Sequence, residues 1–241
     1  MNTKNISALL IGKKNSTGFP GKNVMEINGL PSCEYGFQAA KRVGIKNIFV
    51  STDCPVISKI GSKYSAKLIK RPEKLATPES LTEDVLVHAY KEMIKLNSTF
   101  EIVVLLFANN PAISIELIKK GINKLIEDET YDSAFSVSKY NMFSPTRARK
   151  LENDKIKSFI PLDLIGNVSS IRSSQGDVYF CDLSVQVIRS RVFEKMDEGM
   201  QPFQWMGKKS YPLKNSYGFD IDEEWQKTAI EVWLKKNWKY E

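Results

Sequence analysis

Two stretches of this 241-residue chain carry side chains able to do chemistry on a charged ligand. The first is Gly12-Lys13-Lys14-Asn15-Ser16-Thr17-Gly18-Phe19-Pro20-Gly21-Lys22-Asn23. Its glycines let the backbone turn N–H groups inward and approach a ligand closely, and successive inward N–H groups form an anion-binding nest. Lys13 and Lys22 add mobile positive charge, and Asn15 and Ser16 add neutral donors. The set suits a triphosphate, although it is neither a Walker loop nor a G-x-G-x-x-G dinucleotide fingerprint; on composition alone a solvated surface loop fits equally well. The second stretch is Phe219-Asp220-Ile221-Asp222. In extended geometry both carboxylates fall on one side of the chain while Ile221 points into the core. Such a hard-oxygen pair suits Mg²⁺, which usually takes one or two carboxylates together with waters and phosphate oxygens. Glu223-Glu224-Trp225 opens a helix, so Asp222 is an N-cap, a metal ligand or both.

Other chemistries lack their residues. The only histidine is His88, within a helical pattern, which leaves no His-based triad or multi-His metal site. Cys33, Cys54 and Cys181 have no C-x-x-C spacing and read as reduced core or helix residues. The net charge of +7 is spread along the whole chain with acids interleaved, without a basic stripe carrying aromatic stacking positions, so no nucleic-acid partner is expected. The longest apolar run, 102–108, is too short to span a bilayer. No secretory pattern follows the first residues, so a cytoplasmic protein without a membrane partner is expected.

The elements that must position these residues alternate in the first half. Strands are predicted at 6–11, 47–51, 67–70 and 102–107, and helices at 32–43, 55–64, 82–96 and 115–127. Asn28-Gly29 forms a turn, Ser32 is the predicted N-cap of its helix, and Asp53 either faces the site at the end of its strand or, the favoured reading, caps the helix entered through Pro55. This order implies an α/β fold with a mostly parallel sheet covered on both faces, its ligands outside the carboxyl ends of the strands. After Tyr131 the pattern turns β-rich, with strands at 133–139, 155–159, 171–174 and 178–182, a helix at 184–194 and a closing helix at 223–238. The chain reads as a single domain, 1–241, with a β-rich insertion at about 140–214.

The run Asn15-Ser16-x-Gly18-x-Pro20-x-Lys22-Asn23 resembles the signature loop of the acylneuraminate cytidylyltransferases, the CMP-sialic, CMP-legionaminic and CMP-pseudaminic acid synthetases, with CMP-KDO synthetases as distant cousins. Five further segments resemble that family's motifs in the same order. They are Val50-Ser51-Thr52-Asp53, Arg71-Pro72-x-x-Leu75-Ala76 with Thr77 and Ser80, Val104-Leu105-Leu106 before Asn109-Asn110-Pro111, Gly176-x-x-Tyr179-Phe180, and Asp220-Ile221-Asp222. The resemblance implies a Rossmann-like three-layer sandwich of nucleotide-diphospho-sugar transferase type. It also implies transfer of CMP from CTP to a nonulosonic acid-like 2-keto-3-deoxy acid, with Mg²⁺ on Asp220 and Asp222. Lys22 and Lys13 are the candidate catalytic cations. Gly12, Lys13, Asn15, Ser16, Gly18, Lys22, Asn23, Arg71, Thr77, Ser80 and Asn110 are the candidate nucleotide-binding residues. Arg172, Gln175 and Tyr179, with Arg147 and Arg149 nearby, are candidates for the acceptor. The family forms homodimers in which the insertion reaches over the neighbour's active site.

The sequence departs from the family on the acceptor side. Phe107 stands in place of the family's acceptor-binding Gln, Ala108 of its Pro and Ile113 of its Arg; Lys13 replaces Arg, Thr17 replaces Lys, and Gln175 replaces Asn. These changes bear on substrate identity more than on nucleotide chemistry. Three other readings stay open: a glycosyltransferase of related fold, a nucleotide-binding homologue that has lost catalysis, and a basic RNA-binding protein.

Overall fold

Residues 102–107, Ile-Val-Val-Leu-Leu-Phe, offer water no polar face, and they form the middle strand of the central sheet. The computed structural model describes residues 5–16, 18–96 and 100–238, apart from the side chains of Arg172 and Ser173. The strands are β1 (Ile6–Ile11), β2 (Glu26–Ile27), β3 (Leu30–Pro31), β4 (Asn47–Thr52), β5 (Lys67–Lys70), β6 (Ile102–Phe107), β7 (Ser133–Lys139), β8 (Arg149–Glu152), β9 (Lys155–Ser158), β10 (Tyr179–Arg189) and β11 (Ser210–Asn215). The helices are α1 (Ser32–Val43), α2 (Pro55–Lys63), α3 (Thr82–Leu96), α4 (Ile115–Glu127), α5 (Leu162–Ile165), α6 (Ser190–Glu194) and α7 (Glu224–Asn237).

Seven strands make the central sheet in the order β11-β7-β10-β6-β1-β4-β5. All run parallel except β10, which pairs antiparallel with both β6 and β7. One apolar core, holding Phe37, Ile57, Ile122 and Leu234, packs α1, α2, α4 and α7 on one face. A second, holding Leu86, Met93 and Phe193, packs α3 and α6 on the other. The expected three-layer α/β architecture is what forms. Among the described residues no helix is long and apolar enough to cross a membrane.

Several local expectations are corrected. The helix predicted at 184–194 is strand β10 as far as Arg189, and only Ser190–Glu194 is helical. Val185 and Val187 enter one core and Ile188 the other, so burial on both faces erases the alternation that marks a half-buried strand. The segment at 171–174 is not a strand; Arg172–Gln175 is a 3₁₀ turn, in which Ser174 Oγ donates to the Ile171 carbonyl. Within 140–214, only the β8–β9 ribbon forms a sheet of its own, since β10 and β11 belong to the central sheet. Ser32 is the first residue of α1, and its hydroxyl donates to the Lys22 carbonyl at 2.5 Å instead of capping the helix. The cap of α7 is Glu223, in a capping box with Gln226, which frees Asp222 from that duty. Asn28 and Gly29, with φ of 47° and 85°, make the tight turn between β2 and β3.

Candidate active site

Strands β1, β4, β5 and β6 end level with one another: Ile11 pairs with Ser51 and Phe107, and Thr52 with Lys70. The residues that follow, Gly12, Asp53, Arg71 and Asn109, therefore emerge along one carboxyl edge, where an α/β sheet gathers its ligands. A cleft of about 400 Å³ opens at this edge.

The first wall is the glycine-bearing loop, pinned by Asp53 after β4 and by its own Asn23. Asp53 Oδ1 accepts from Lys14 N at 2.8 Å, and Asn23 Nδ2 donates to the Lys13 carbonyl at 2.8 Å. Asp53 is thus a loop anchor and not a helix cap; Cys54 holds the cap position of α2. Gly12 has a steric reason to be glycine. A Cβ there would lie 2.6 Å from Ala108 Cβ and 2.9 Å from Ile57 Cδ1. Lys13 crosses the cleft and donates through Nζ to the Thr77 carbonyl at 3.3 Å, joining this wall to the next.

The second wall follows β5. Arg71 is 6% exposed; its Nη2 donates to the Ser51 carbonyl at 2.9 Å, while its Nε has no partner. Burial pulls the guanidinium below its ordinary pKa, with the Asp53 charge opposing. A buried donor without an acceptor is costly, and this one belongs to a cleft-lining residue. Thr77 Oγ1 and Ser80 Oγ share a hydrogen bond of 3.0 Å, and Ser80 Oγ also donates to the Lys74 carbonyl. Leu75, Thr82 and Val85 complete this wall.

The third wall is the acidic pair. Ile221 is fully buried, and its neighbours Asp220 and Asp222 both line the cleft, as alternation requires. Asn109 holds the segment, accepting from Ile221 N at 2.9 Å and donating through Nδ2 to Asp220 Oδ2 and the Ile221 carbonyl, each at 3.2 Å. Lys22 reaches across from the first loop to an ion pair with Asp222. Burial first, and the Asp222 charge second, raise the Asp220 carboxyl above its ordinary pKa; Lys22 and Asn109 work in the opposite direction.

The cleft therefore collects Gly12, Lys13, Ser16, Gly18, Lys22, Asn23, Arg71, Thr77, Ser80, Asp220 and Asp222. Other candidates lie elsewhere. Asn15 is exposed beside the cleft and is not among its lining residues, and Thr17 lies outside the described residues. Asn110 is 1% exposed and turned inward, donating through Nδ2 to the Asp182 carbonyl; its neighbour Asn109 lines the cleft in its stead. Gln175 accepts from Arg147 Nε at 3.1 Å and donates to the Ser169 carbonyl, Arg149 bonds to the carbonyls of Thr146 and Ala148, and Tyr179 lies beneath Lys214. None of these lines the cleft of its own chain, because the insertion stands away from it. The Arg172 side chain is outside the described residues. Phe107, at the position of the family's acceptor-binding Gln, lines the cleft, and so does Asn109, which was missed as a site residue. The signal for Asn109 was its place just beyond the carboxyl end of a parallel strand.

Residues 12–155, more than half of the chain, match the model of the family described as "Cytidylyltransferase". The chain belongs to the cytidylyltransferase family. Among its relatives, N-acylneuraminate cytidylyltransferase A of Danio rerio is 26% identical over 222 residues, covering 91% of this chain and 48% of that protein. N-acylneuraminate cytidylyltransferase of Oncorhynchus mykiss is 23% identical over 223 residues, covering 92% and 49%. The chain thus spans about half the length of these relatives. The solved structure of CMP:2-keto-3-deoxy-manno-octonic acid synthetase complexed with CTP superposes with a TM-score of 0.67 at 15% identity, over 97% of this chain and 99% of that one, and shows the shared cytidylyltransferase fold. The resemblance drawn from six short motifs is borne out by the cytidylyltransferase family model and by relatives named N-acylneuraminate cytidylyltransferase.

Proposed function

We propose that the protein is a cytidylyltransferase that moves CMP from CTP to a hydroxyl of a small acidic sugar, a nonulosonic acid-like 2-keto-3-deoxy acid, and releases pyrophosphate. The observation that carries this reading is convergence. Three segments far apart in sequence, the first loop, Arg71–Ser80 and Asp220–Asp222, line one cleft at the sheet's carboxyl edge. The likeness to N-acylneuraminate cytidylyltransferases supports the acceptor class.

Within that cleft, Arg71 and the Thr77 and Ser80 hydroxyls supply donors for the base and ribose. Lys22, Lys13 and the loop supply charge for the phosphates, stabilising the negative charge that develops as pyrophosphate leaves. Asp220 and Asp222 fit a magnesium ion. Two carboxylates share one partly desolvated wall, where burial first and the Asp222 charge second raise the Asp220 carboxyl, and a divalent cation would offset both. Among the described residues no group of three His, Cys, Asp or Glu side chains forms a complete metal cage. An ion held here would draw its remaining ligands from water and phosphate. When bound, the ion supplies Lewis-acid polarisation of the phosphoryl oxygen. The protein's share is to hold the nucleotide and acceptor in line, since no histidine or cysteine lines the cleft to act as a base.

Two observations extend the reading. Ala108 and Ile113, where the family has its Pro and Arg, are 0% and 2% exposed in the core, and Phe107 lines the cleft. This favours an acceptor that differs from the usual nonulosonates at that wall. The β8–β9 ribbon exposes Leu151 at 80% and Ile156 at 74%, followed by Leu162 and Leu164 at 68% and 73%. That apolar surface supports a homodimer in which the insertion, with Gln175 and Tyr179, serves the neighbour's cleft.

The test is a pyrophosphate-release screen of CTP, UTP, ATP and GTP against a panel of keto-deoxy acids and phosphonates, with and without Mg²⁺. Release limited to CTP with an acidic sugar is the expected result. Mg²⁺-dependent CTP binding without release on any acceptor would identify a homologue that has lost catalysis.

A further inference from the structure

Asp182 lies outside the cleft, yet its contacts lead there by two routes. It is 5% exposed on β10, at the irregularity where pairing with β7 slips between Cys181 and Gln186, beside Leu183 at φ 57°. Its Oδ1 accepts from Ser136 Oγ and from Ser184 N, the latter at 3.0 Å. Its Oδ2 accepts from Ser138 Oγ at 2.5 Å and from Asn215 Nδ2 at 3.1 Å. Four neutral donors from β7, β10 and β11 thus surround the carboxylate and fill its acceptor sites.

The first route runs through the side chain. Ser138 Oγ, having donated to Asp182, accepts from Gly218 N at 3.1 Å, while Tyr140 Oη donates to the Gly218 carbonyl at 3.1 Å. Gly218 is pressed onto this cluster: a Cβ there would collide with Ser184 Oγ and lie 2.5 Å from Asn215 Nδ2. Two residues later comes Asp220. The second route runs through the main chain, where the Asp182 carbonyl accepts from Asn110 Nδ2 at 3.2 Å. Asn110 adjoins Asn109, the residue that holds Asp220 and Ile221 from the other side. One buried residue therefore fixes both the segment that carries the acidic pair and the turn that clamps it.

We propose that Asp182 is a positioning residue that sets the placement of the Asp220 and Asp222 carboxylates and hence the affinity of the cleft for a divalent cation. This rests on the reading of those two aspartates as the metal pair. Asparagine is the same size but turns an NH₂ toward a donor, breaking either the link to Ser138 and Asn215 or the link to Ser136 and Ser184. Loss of an outer-shell partner typically costs about 10- to 100-fold in metal affinity. The first route is expected to loosen while the Arg71 wall, built on β4 and β5, stays in place.

The experiment titrates Mn²⁺ into the full chain, with and without CTP, reading free Mn²⁺ by electron paramagnetic resonance. CTP affinity in EDTA and the circular dichroism spectrum are measured alongside. Asp182→Asn is expected to weaken Mn²⁺ binding about 10- to 100-fold and to leave the metal-free CTP affinity and the fold unchanged. A folded variant whose Mn²⁺ affinity equals that of the wild type, or whose CTP and Mn²⁺ affinities fall together, overturns the proposal. If Asp182→Asn does not fold, Ser138→Ala keeps the carboxylate and removes the one hydroxyl that joins it to Gly218; weaker Mn²⁺ binding there supports the proposal, and unchanged binding overturns it. A wild-type protein that binds no Mn²⁺ even with CTP removes the metal pair and this inference together, a result distinct from variants that bind as the wild type does.

Discussion

Replacing Arg71 with methionine should stabilise the protein without nucleotide while weakening its grip on CTP. The guanidinium is buried, its Nε lacks an acceptor and its pKa is lowered by desolvation. It makes one side-chain hydrogen bond, to the Ser51 carbonyl, and that carbonyl also accepts from Gly12 N at 3.3 Å. An unsatisfied buried donor costs about 1–3 kcal/mol, and methionine is unbranched and adaptable enough to fill the same channel. For a chain of this size each kcal/mol is worth about 2–4 °C, so the melting temperature without nucleotide should rise by about 2–12 °C. Hydrogen bonds involving a charged group contribute about 1.5–3 kcal/mol, which predicts CTP binding weaker by about 10- to 150-fold. Differential scanning fluorimetry without nucleotide and isothermal titration with CTP measure the two effects separately. An Arg71→Met protein that melts lower than the wild type, or that binds CTP within about threefold of it, refutes the claim that this donor is kept unsatisfied for the nucleotide.

Lys22→Ala should lower turnover by about 10²–10³-fold in the pyrophosphate assay; turnover near the wild-type rate would remove Lys22 from the chemistry. Gly12→Ala should cost about 1–3 kcal/mol through overpacking against Ala108 and Ile57, read as a lower denaturant midpoint at constant slope. Because the folded protein raises the Asp220 pKa, it holds that proton to higher pH than the unfolded chain does. The Asp220 contribution therefore favours folding as pH falls through the folded pKa and opposes it above. Asp220→Asn should accordingly raise the melting temperature of the nucleotide-free protein at neutral pH, with a gain that shrinks on acidification; a lower melting temperature at neutral pH contradicts this.

Much of the fold was legible because the first half of the chain obeys simple periodicities. Strands β1 and β6 and helices α3 and α4 fall on the predicted ranges, since each is a clean apolar run or an amphipathic pattern with recognisable ends. The failures have one cause in common: neighbours distant in sequence decided the outcome. Val185-Gln186-Val187-Ile188 became strand because β6 and β7 lie on either side of it. Ser32, Asp53 and Asp222 had local capping readings, but each found a partner elsewhere, in Lys22, Lys14 and Lys22 respectively. At the site, loops leaving strand ends could be read from sequence. Which of two adjacent asparagines turned outward could not, because that depends on the Asp182 carbonyl drawing Asn110 inward.

The one reversed strand of the sheet has a consequence beyond topology. Because β7 runs with β6 and β10 runs against both, β7 finishes and β10 begins at the edge where the cleft opens. The chain between them is spliced in at the ligand-facing rim and demands nothing of the packed interior. Residues can be gained or lost there while the two cores keep their fit, and whatever is added stands on the same side of the sheet as the chemistry. That rim is the open port of the fold, whereas the opposite rim carries the loops that lead into the parallel strands and the 190–209 connection from β10 to β11.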